Sequence, residues 1–387
     1  MMDSRSVMVR FRKRLLLAEP NFQFFHKLLQ VNWLYVLLIC ALAAIGYIAL
    51  YSAGGGSAKS FAKPQMIRFV LGFIVMVGMA VLHPRILIKL AWPLYGLSLI
   101  LLVAVLAMGH VGKGAERWLV VGGIAIQPSE LAKITLVLVL ASWFRNVSWQ
   151  RMGNPLFLVI PAILVLLPVG LVLKEPNLGT AVIIGLVGAS VFFAAGMRWW
   201  LIILLALPVP YGAKIAYNHL HDYQKARITT FLNPESDPLG AGYNIIQSKI
   251  ALGSGGMWGK GYMQGTQGQL NFLPEKQTDF IFTMIAEEWG FVGGIAVVSI
   301  FFLVVIGGML MAVRCRNRFG RLLSLGISVN FFLYCTVNLS MVMGAIPVGG
   351  VPLPLISYGG SALLTVMFGF GLLFSVYVHR DIKMEGT

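Results

Sequence analysis

Ten apolar stretches, each close to the length that crosses about 30 Å of hydrocarbon, recur along this chain and leave it few folds to choose from. They run near 33 to 52, 67 to 83, 90 to 108, 130 to 144, 157 to 173, 178 to 196, 199 to 216, 280 to 312, 322 to 345 and 359 to 378. Within a bilayer every backbone polar group needs an internal partner, so stretches of this kind form helices. The stretch 280 to 312 is long enough to tilt, or to break near Gly293 and Gly294. The expected fold class is all-α: one polytopic membrane domain over residues 1–387, with about ten transmembrane helices. A composition of 58% hydrophobic and 11% charged residues, with a mean hydropathy of +0.82, excludes a water-soluble enzyme and a disordered tail alike. Cys40, Cys315 and Cys335 form no CxxC pair and total an odd number, which supports neither a disulfide framework nor a zinc site.

In such a chain a net charge of +16 reports orientation before anything else, and no nucleic-acid partner is expected. Arg5, Arg10, Arg12, Lys13, Arg14 and Lys27 precede the first span, Arg314, Arg316, Arg318 and Arg321 follow the eighth, and Arg380 and Lys383 close the chain. With ten spans all three groups fall on one side, which the positive-inside rule makes cytoplasmic, with both termini there. The basic segment 1–30 is therefore cytoplasmic, and its Val9 to Leu17 portion, bulky apolar mixed with basic, is expected along the inner leaflet. The first apolar stretch is too long and too far in to be a signal peptide.

Carboxylates sort the other way. Glu116, Glu130, Glu175, Asp222, Glu235, Asp237, Glu275 and Asp279 fall in outer loops or at their junctions with helices, while Glu287 and Glu288 enter the eighth span. Acid–base chemistry is thus expected at the outer face. The longest connection, 217–278, is far beyond usual loop length, and its aromatic and apolar content argues for a folded outer loop, with a short amphipathic helix over Asn244 to Leu252 resting on the membrane. Its glycine run, Gly253 to Gly261, fails as a phosphate loop: Ser254 stands where the first glycine is needed, and Gly261 where a Ser or Thr must follow Lys260. Either its freed amides and Lys260 hold some other anion, or the run is a flexible turn. His219 and His221 lack a third ligand, so no metal centre is expected.

The words from Tyr223 onward are specific, above all GKGYMQGTQ leading into NFLPEKQTDF. Together with GAERW and QPSELAK (Gly114 to Lys133), PNLGTA (Pro176 to Ala181) and IPVGGVPLPLISYGGSA (Ile346 to Ala362), in this order, they resemble the SEDS family (shape, elongation, division and sporulation), and its elongation branch more than its division branch. The resemblance implies a peptidoglycan glycosyltransferase that polymerises lipid II at the outer face of the bacterial cytoplasmic membrane. It implies as partners a class B penicillin-binding transpeptidase and other membrane proteins of the elongation complex. The reaction joins a sugar C4 hydroxyl to the anomeric carbon of a second lipid-linked disaccharide, with inversion and with polyprenyl pyrophosphate as leaving group. No cofactor is required beyond, at most, a divalent cation at the pyrophosphate.

Asp279 matches the essential Asp of the family's TDF word and is the implied general base; by position alone it equally suits a helix cap. Lys276, three residues earlier, is placed to neutralise pyrophosphate or to pair with that carboxylate, and Arg117, Lys113 and Lys133 are further phosphate candidates. Arg117 has the forked guanidinium that suits two oxygens, although an interfacial anchor beside Trp118 is the plainer role. Glu130 and Lys133, spaced i, i+3 after Pro128, fit a partly buried ion pair at the mouth of the fourth span, and charge at that depth marks either substrate binding by both residues or tight structural pairing. Tyr243, Gln247 and Ser248 match family words and suit either substrate contact or loop packing. Glu287 lies about 12 Å along a helix from Asp279, too far for a catalytic dyad. The uncharged run Pro347 to Gly360 reads as a re-entrant turn.

Departures from the family pattern are Ile126 before QPSE, Ser340 before Met341, and Glu175-Pro176-Asn177 where Gln-Pro-Asp is common. They put a role for that Asp in doubt, unless Glu175 substitutes. A lipid II flippase is the alternative reading, and a structural scaffold a third. Transport calls for ionisable residues near the midplane and usually for internal repeats, neither of which the chain displays.

Overall fold

The computed structural model describes residues 27–108, 110–112, 115–121, 124–175, 177–198, 200–201, 225, 229–233, 241–270, 272–347 and 349–382. Within them the bundle is built from α1 (Trp33–Ala53), α2 (Ala62–Val81), α3 (Pro84–Met108), α4 (Pro128–Phe144), α5 (Pro155–Lys174) and α6 (Leu178–Ala194). After the long connection come α7 (Ala241–Ser254), α8 (Ile281–Arg314), α9 (Arg318–Val342) and α10 (Gly360–Val378). Seven of these, α1, α2, α3, α5, α8, α9 and α10, are long and apolar enough to cross a membrane, and α6 is a shorter apolar helix. The seventh expected span, 199 to 216, falls almost wholly outside the described residues.

One departure from an all-helical expectation lies between α3 and α4. There three short strands, β1 (His110–Gly112), β2 (Ala115–Val121) and β3 (Ile124–Ile126), pair antiparallel in the order β1-β2-β3. Alternation over so few residues is hidden in the sequence by the apolar runs on either side.

Helix α4 is the central post. Nearly all of its residues are buried, and it packs against α3, α5, α6, α9 and α10. α2 lies along α10 at close range because the contact residues are small: a Cβ on Gly371 would stand 2.9 Å from the Met76 carbonyl oxygen. α3 instead packs on α4 and α5, and the consecutive helices α2 and α3 share little contact. One end of the bundle carries the basic residues. There the Arg318 guanidinium donates to the carbonyls of Val147 and, at 2.7 Å, Ala195, tying two connections to the start of α9.

At the opposite end α8 is interrupted, three or four residues earlier than Gly293 and Gly294 suggested: the break is at Gly290, with φ 68° and ψ −166°. A break orphans the carbonyls of the preceding turn and the amides of the next, which inside a membrane protein need other partners. The glycine run supplies them. Lys260 and Gly261 donate their amides to the carbonyls of Glu287 (3.0 Å) and Glu288 (3.1 Å), while Phe291 and Val292 donate to Gly256 (2.9 Å) and Met257 (3.2 Å). Approach this close leaves no room for side chains, since a Cβ on Gly255 would lie 2.1 Å from the Ala286 oxygen and one on Gly259 2.1 Å from the Glu288 oxygen. The run is therefore neither an anion cradle nor a loose turn; it is the missing piece of α8.

The expected loop helix extends three residues further at its start, as α7, and packs on α8 and α9, with Ile245, Ser248 and Ala251 buried.

Candidate active site

Asp279 stands just ahead of α8, half-buried, in the turn that follows Glu275. It does not cap the helix: Phe280 occupies the N-cap position, without a side-chain cap bond, and no acidic residue lies in the first turn. What fixes this segment is a row of backbone carbonyls. Gln277 O accepts from Tyr358 N (2.8 Å), Thr278 O from Ser357 Oγ (2.5 Å) and Asp279 O from Asn338 Nδ2 (2.9 Å). Asn338 also donates to Val351 O (2.7 Å), and Ser357 Oγ accepts from Leu353 N (2.8 Å). The described part of this uncharged run, 349–360, thus folds back against the QTD residues, and the amides of Leu353, Ser357 and Tyr358 find their acceptors inside protein, as a re-entrant segment requires. Asn338 and Ser357 escaped the sequence reading because both look like ordinary small polar residues among apolar neighbours.

Lys276 is half-buried and donates to the Gly268 carbonyl at 2.6 Å. Burial pushes its ammonium below the ordinary lysine value, with the negative charge of Glu288 pulling the other way. The amide of that same Gly268 points to Glu287 Oε2 (3.4 Å), and Glu287 Oε1 also takes Lys260 Nζ (2.8 Å), Thr266 Oγ1 (3.1 Å) and the Gln267 amide (3.1 Å). Glu287 is a clamp for residues 260–268, and through the Gly268 peptide it holds the partner of Lys276. Glu288 accepts from Ser52 Oγ at the end of α1, and Gln269 Nε2 donates to Ser52 as well (3.1 Å). Neither pairing is visible from spacing, since the partners lie far apart in the chain.

The Glu130–Lys133 pair forms as the spacing predicts, at 2.8 Å and almost wholly buried, with Pro128 in the first turn of α4. Tyr334 of α9 completes it: its hydroxyl bonds both partners, and Lys133 Nζ lies 4.0 Å from the centre of its ring. Lys133 is consequently paired with Glu130 and Tyr334, as burial of an ammonium demands, and its expected role as a phosphate contact has no open side of the ammonium to support it. Asn338 stands one turn beyond Tyr334 on α9, so the buried pair and the anchor of Asp279 share a helix, about 6 Å apart along it.

Ser248 turns to packing, wholly buried with its hydroxyl on Val342 O (2.7 Å) and Thr283 Oγ1 (3.1 Å), whereas Gln247 and Tyr243 on the same helix remain half-buried. Arg117 lies in β2, with its side chain outside the described residues; Lys113, His219 and His221 are outside them altogether. Glu175 is buried, and Asn177 caps α6, accepting from the Thr180 amide at 3.4 Å. Asn177 therefore does the capping that an Asp would do there. Among the described residues no three His, Cys, Asp or Glu side chains group as metal ligands.

The FtsW/RodA/SpoVE family model, described as cell cycle protein, matches residues 32–382. The chain is 42% identical over 371 residues to the peptidoglycan glycosyltransferase MrdB of Escherichia coli K12, covering 95% of this chain and 99% of that protein. A solved chain from a peptidoglycan synthase complex that coordinates polymerization and crosslinking superposes with a TM-score of 0.78 at 32% identity, covering 91% of this chain and 99% of that one. The crystal structure of Thermus thermophilus rod shape determining protein RodA gives 0.68 at 30% identity, covering 91% and 98%.

Proposed function

The chain belongs to the FtsW/RodA/SpoVE family of cell cycle proteins, and on that premise we propose that it is a peptidoglycan glycosyltransferase of the rod-shape branch, polymerising lipid II during cell elongation. Asp279 is the general base. Its carboxylate takes the proton from the C4 hydroxyl of one lipid-linked disaccharide as that oxygen bonds to the anomeric carbon of another. The anomeric C–O bond to pyrophosphate breaks on the opposite face, and polyprenyl pyrophosphate leaves with the electron pair, inverting the configuration. Lys276, three residues away, supplies positive charge for an oxyanion, and partial burial makes that charge count for more than it would in water.

The observation that carries this reading is the triple anchoring of Gln277, Thr278 and Asp279 through their carbonyls, which fixes a half-buried carboxylate with no capping duty. Sparse contact between the consecutive helices α2 and α3 is compatible with polyprenyl tails entering sideways between them. The basic end faces the cytoplasm by the positive-inside rule, so Asp279 faces outward across the bacterial inner membrane. Because a chain from a peptidoglycan synthase complex shares this fold, a class B penicillin-binding transpeptidase is the natural partner.

The test is polymerisation of labelled lipid II by the purified chain with its transpeptidase, comparing Asp279→Asn with the parent. Loss of glycan chains from a variant with parental melting behaviour is expected. Undiminished polymer would refute the role of Asp279, and lipid movement across vesicles without polymer would favour the flippase.

A further inference from the structure

Seven residues into α2, Arg68 sits within an apolar helix, a costly place for a charge and usually a functional one. Its guanidinium lies against the first turn of α10: a Cβ on Gly360 would be 3.2 Å from its Nε and 3.4 Å from its Cζ. On its other side Cζ is 4.7 Å from the centre of the Tyr358 ring. That is an arginine beside the positive end of a helix dipole, two like charges that no described carboxylate offsets. Its Nη1 is buried and has no hydrogen-bond partner among the described residues.

The turn it faces is also incomplete. Gly359 is the N-cap and has no side chain to cap with; its own amide reaches Gln65 Oε1 at 3.4 Å, which leaves the amides that follow without an intrahelical acceptor. Ser361, in that turn and only 8% exposed, has a hydroxyl with no partner among the described residues. A buried guanidinium nitrogen, a buried hydroxyl and a helix N-terminus all lack the same thing, an anionic acceptor.

We propose that Arg68, Ser361 and the uncapped first turn of α10 form a binding site for the phosphates of a polyprenyl-linked pyrophosphate. The choice of this source over a bulk phospholipid rests on the glycosyltransferase reading, and on position: Tyr358 donates its amide to Gln277, two residues from Asp279, which puts the site on the order of 10 Å from that carboxylate, the scale of a pyrophosphate and one sugar. Ordinary lipid phosphate shares the chemistry, so the experiment separates the two.

Native mass spectrometry of the full detergent-purified chain, carrying Asp279→Asn to prevent turnover, would be titrated with undecaprenyl pyrophosphate and, separately, with phosphatidylglycerol. Arg68→Gln is expected to weaken undecaprenyl pyrophosphate binding at least tenfold, Arg68→Lys by less because the charge remains, and Ser361→Ala about threefold, with melting temperatures near the parent's. Should Arg68→Gln misfold, Ser361→Ala carries the test. Parental affinity for undecaprenyl pyrophosphate in the folded variants overturns the proposal, as does a loss confined to phosphatidylglycerol, which would make this a site for ordinary lipid. Since binding is read without turnover, an Asp279→Asn chain that still polymerised would overturn the catalytic reading while leaving this result intact.

Discussion

Replacing Gly290 by alanine is expected to unseat the loop that completes α8. At φ 68° and ψ −166° the residue occupies a region open essentially to glycine alone, and alanine there is strained by about 1–3 kcal/mol. The new Cβ would also stand 2.3 Å from the Gly259 nitrogen and 2.6 Å from the Met257 oxygen, backbone atoms that cannot swing aside, where ordinary contact begins near 3.4 Å. Retreat by about an ångström stretches the four bonds between the glycine run and α8 beyond useful range, at about 0.5–1.5 kcal/mol each. The combined loss exceeds about 3 kcal/mol, in the tail of single-substitution effects. Heating the detergent-purified protein while labelling thiols reads this, because Cys335 is buried until the bundle opens. Gly294→Ala is the matched control: its Cβ would meet only Phe282 Cζ, at 3.5 Å, and in a regular helix alanine gains about 0.5–1 kcal/mol over glycine. Parental melting and polymerisation by Gly290→Ala, or greater damage from Gly294→Ala, would refute the account of the break.

Removing either member of the buried pair, by Glu130→Gln or Lys133→Met, should cost about 3–5 kcal/mol, and the double variant less than either single, because each single change strands a buried charge; melts of the three variants decide it. Asn177→Asp should keep the cap of α6 and leave stability within about 0.5 kcal/mol, while Asn177→Ala should lose up to about 1 kcal/mol in the same melts. For Lys276, burial disfavours the charged form, so its folded value lies below the ordinary 10.5. Stability from this group therefore rises as pH climbs through the folded value and levels off above the unfolded one. Activity that needs the ammonium falls over the same range, so the alkaline limb of the pH–rate profile should begin below 10.5 and move upward in Lys276→Arg; an unmoved limb removes Lys276 from the site.

Seven spans were legible in the sequence because hydrocarbon sets a minimum length on a helix that crosses it, and the Glu130–Lys133 pair because i, i+3 spacing on a helix is itself a distance. Where the chain closes on itself over long separations, spacing is silent. Gly293 and Gly294, a glycine pair, drew the expected break to themselves, and only the carbonyls of Gly256 and Met257 meeting the amides beyond Gly290 place it at Gly290. Lys260 looked available to an anion because Glu287, its partner, is 27 residues away along the chain. Ser248 belongs to a family word that would serve contact or packing equally well, and only its burial against Val342 and Thr283 chooses. Asp279 was found by its motif, but the reason it is not a cap is structural: the helix begins two residues later.

Glu287 and Asp279 are anchored differently, and the difference suits the role proposed for Asp279. Glu287 is held through its carboxylate, by an ammonium, a hydroxyl and two amides, so its charge is part of the scaffold and any proton it took would cost the clamp those bonds. The backbone at Asp279 is anchored by its carbonyl, and its neighbours Gln277 and Thr278 by theirs. A general base must gain and lose a proton in every cycle, so an anchor that depended on the ionised carboxylate would loosen each time the proton arrived. Anchoring by backbone is indifferent to that change. Under the proposed role of Asp279, the backbone geometry around residue 279 would stay the same on both sides of the proton transfer, as a preorganised base requires.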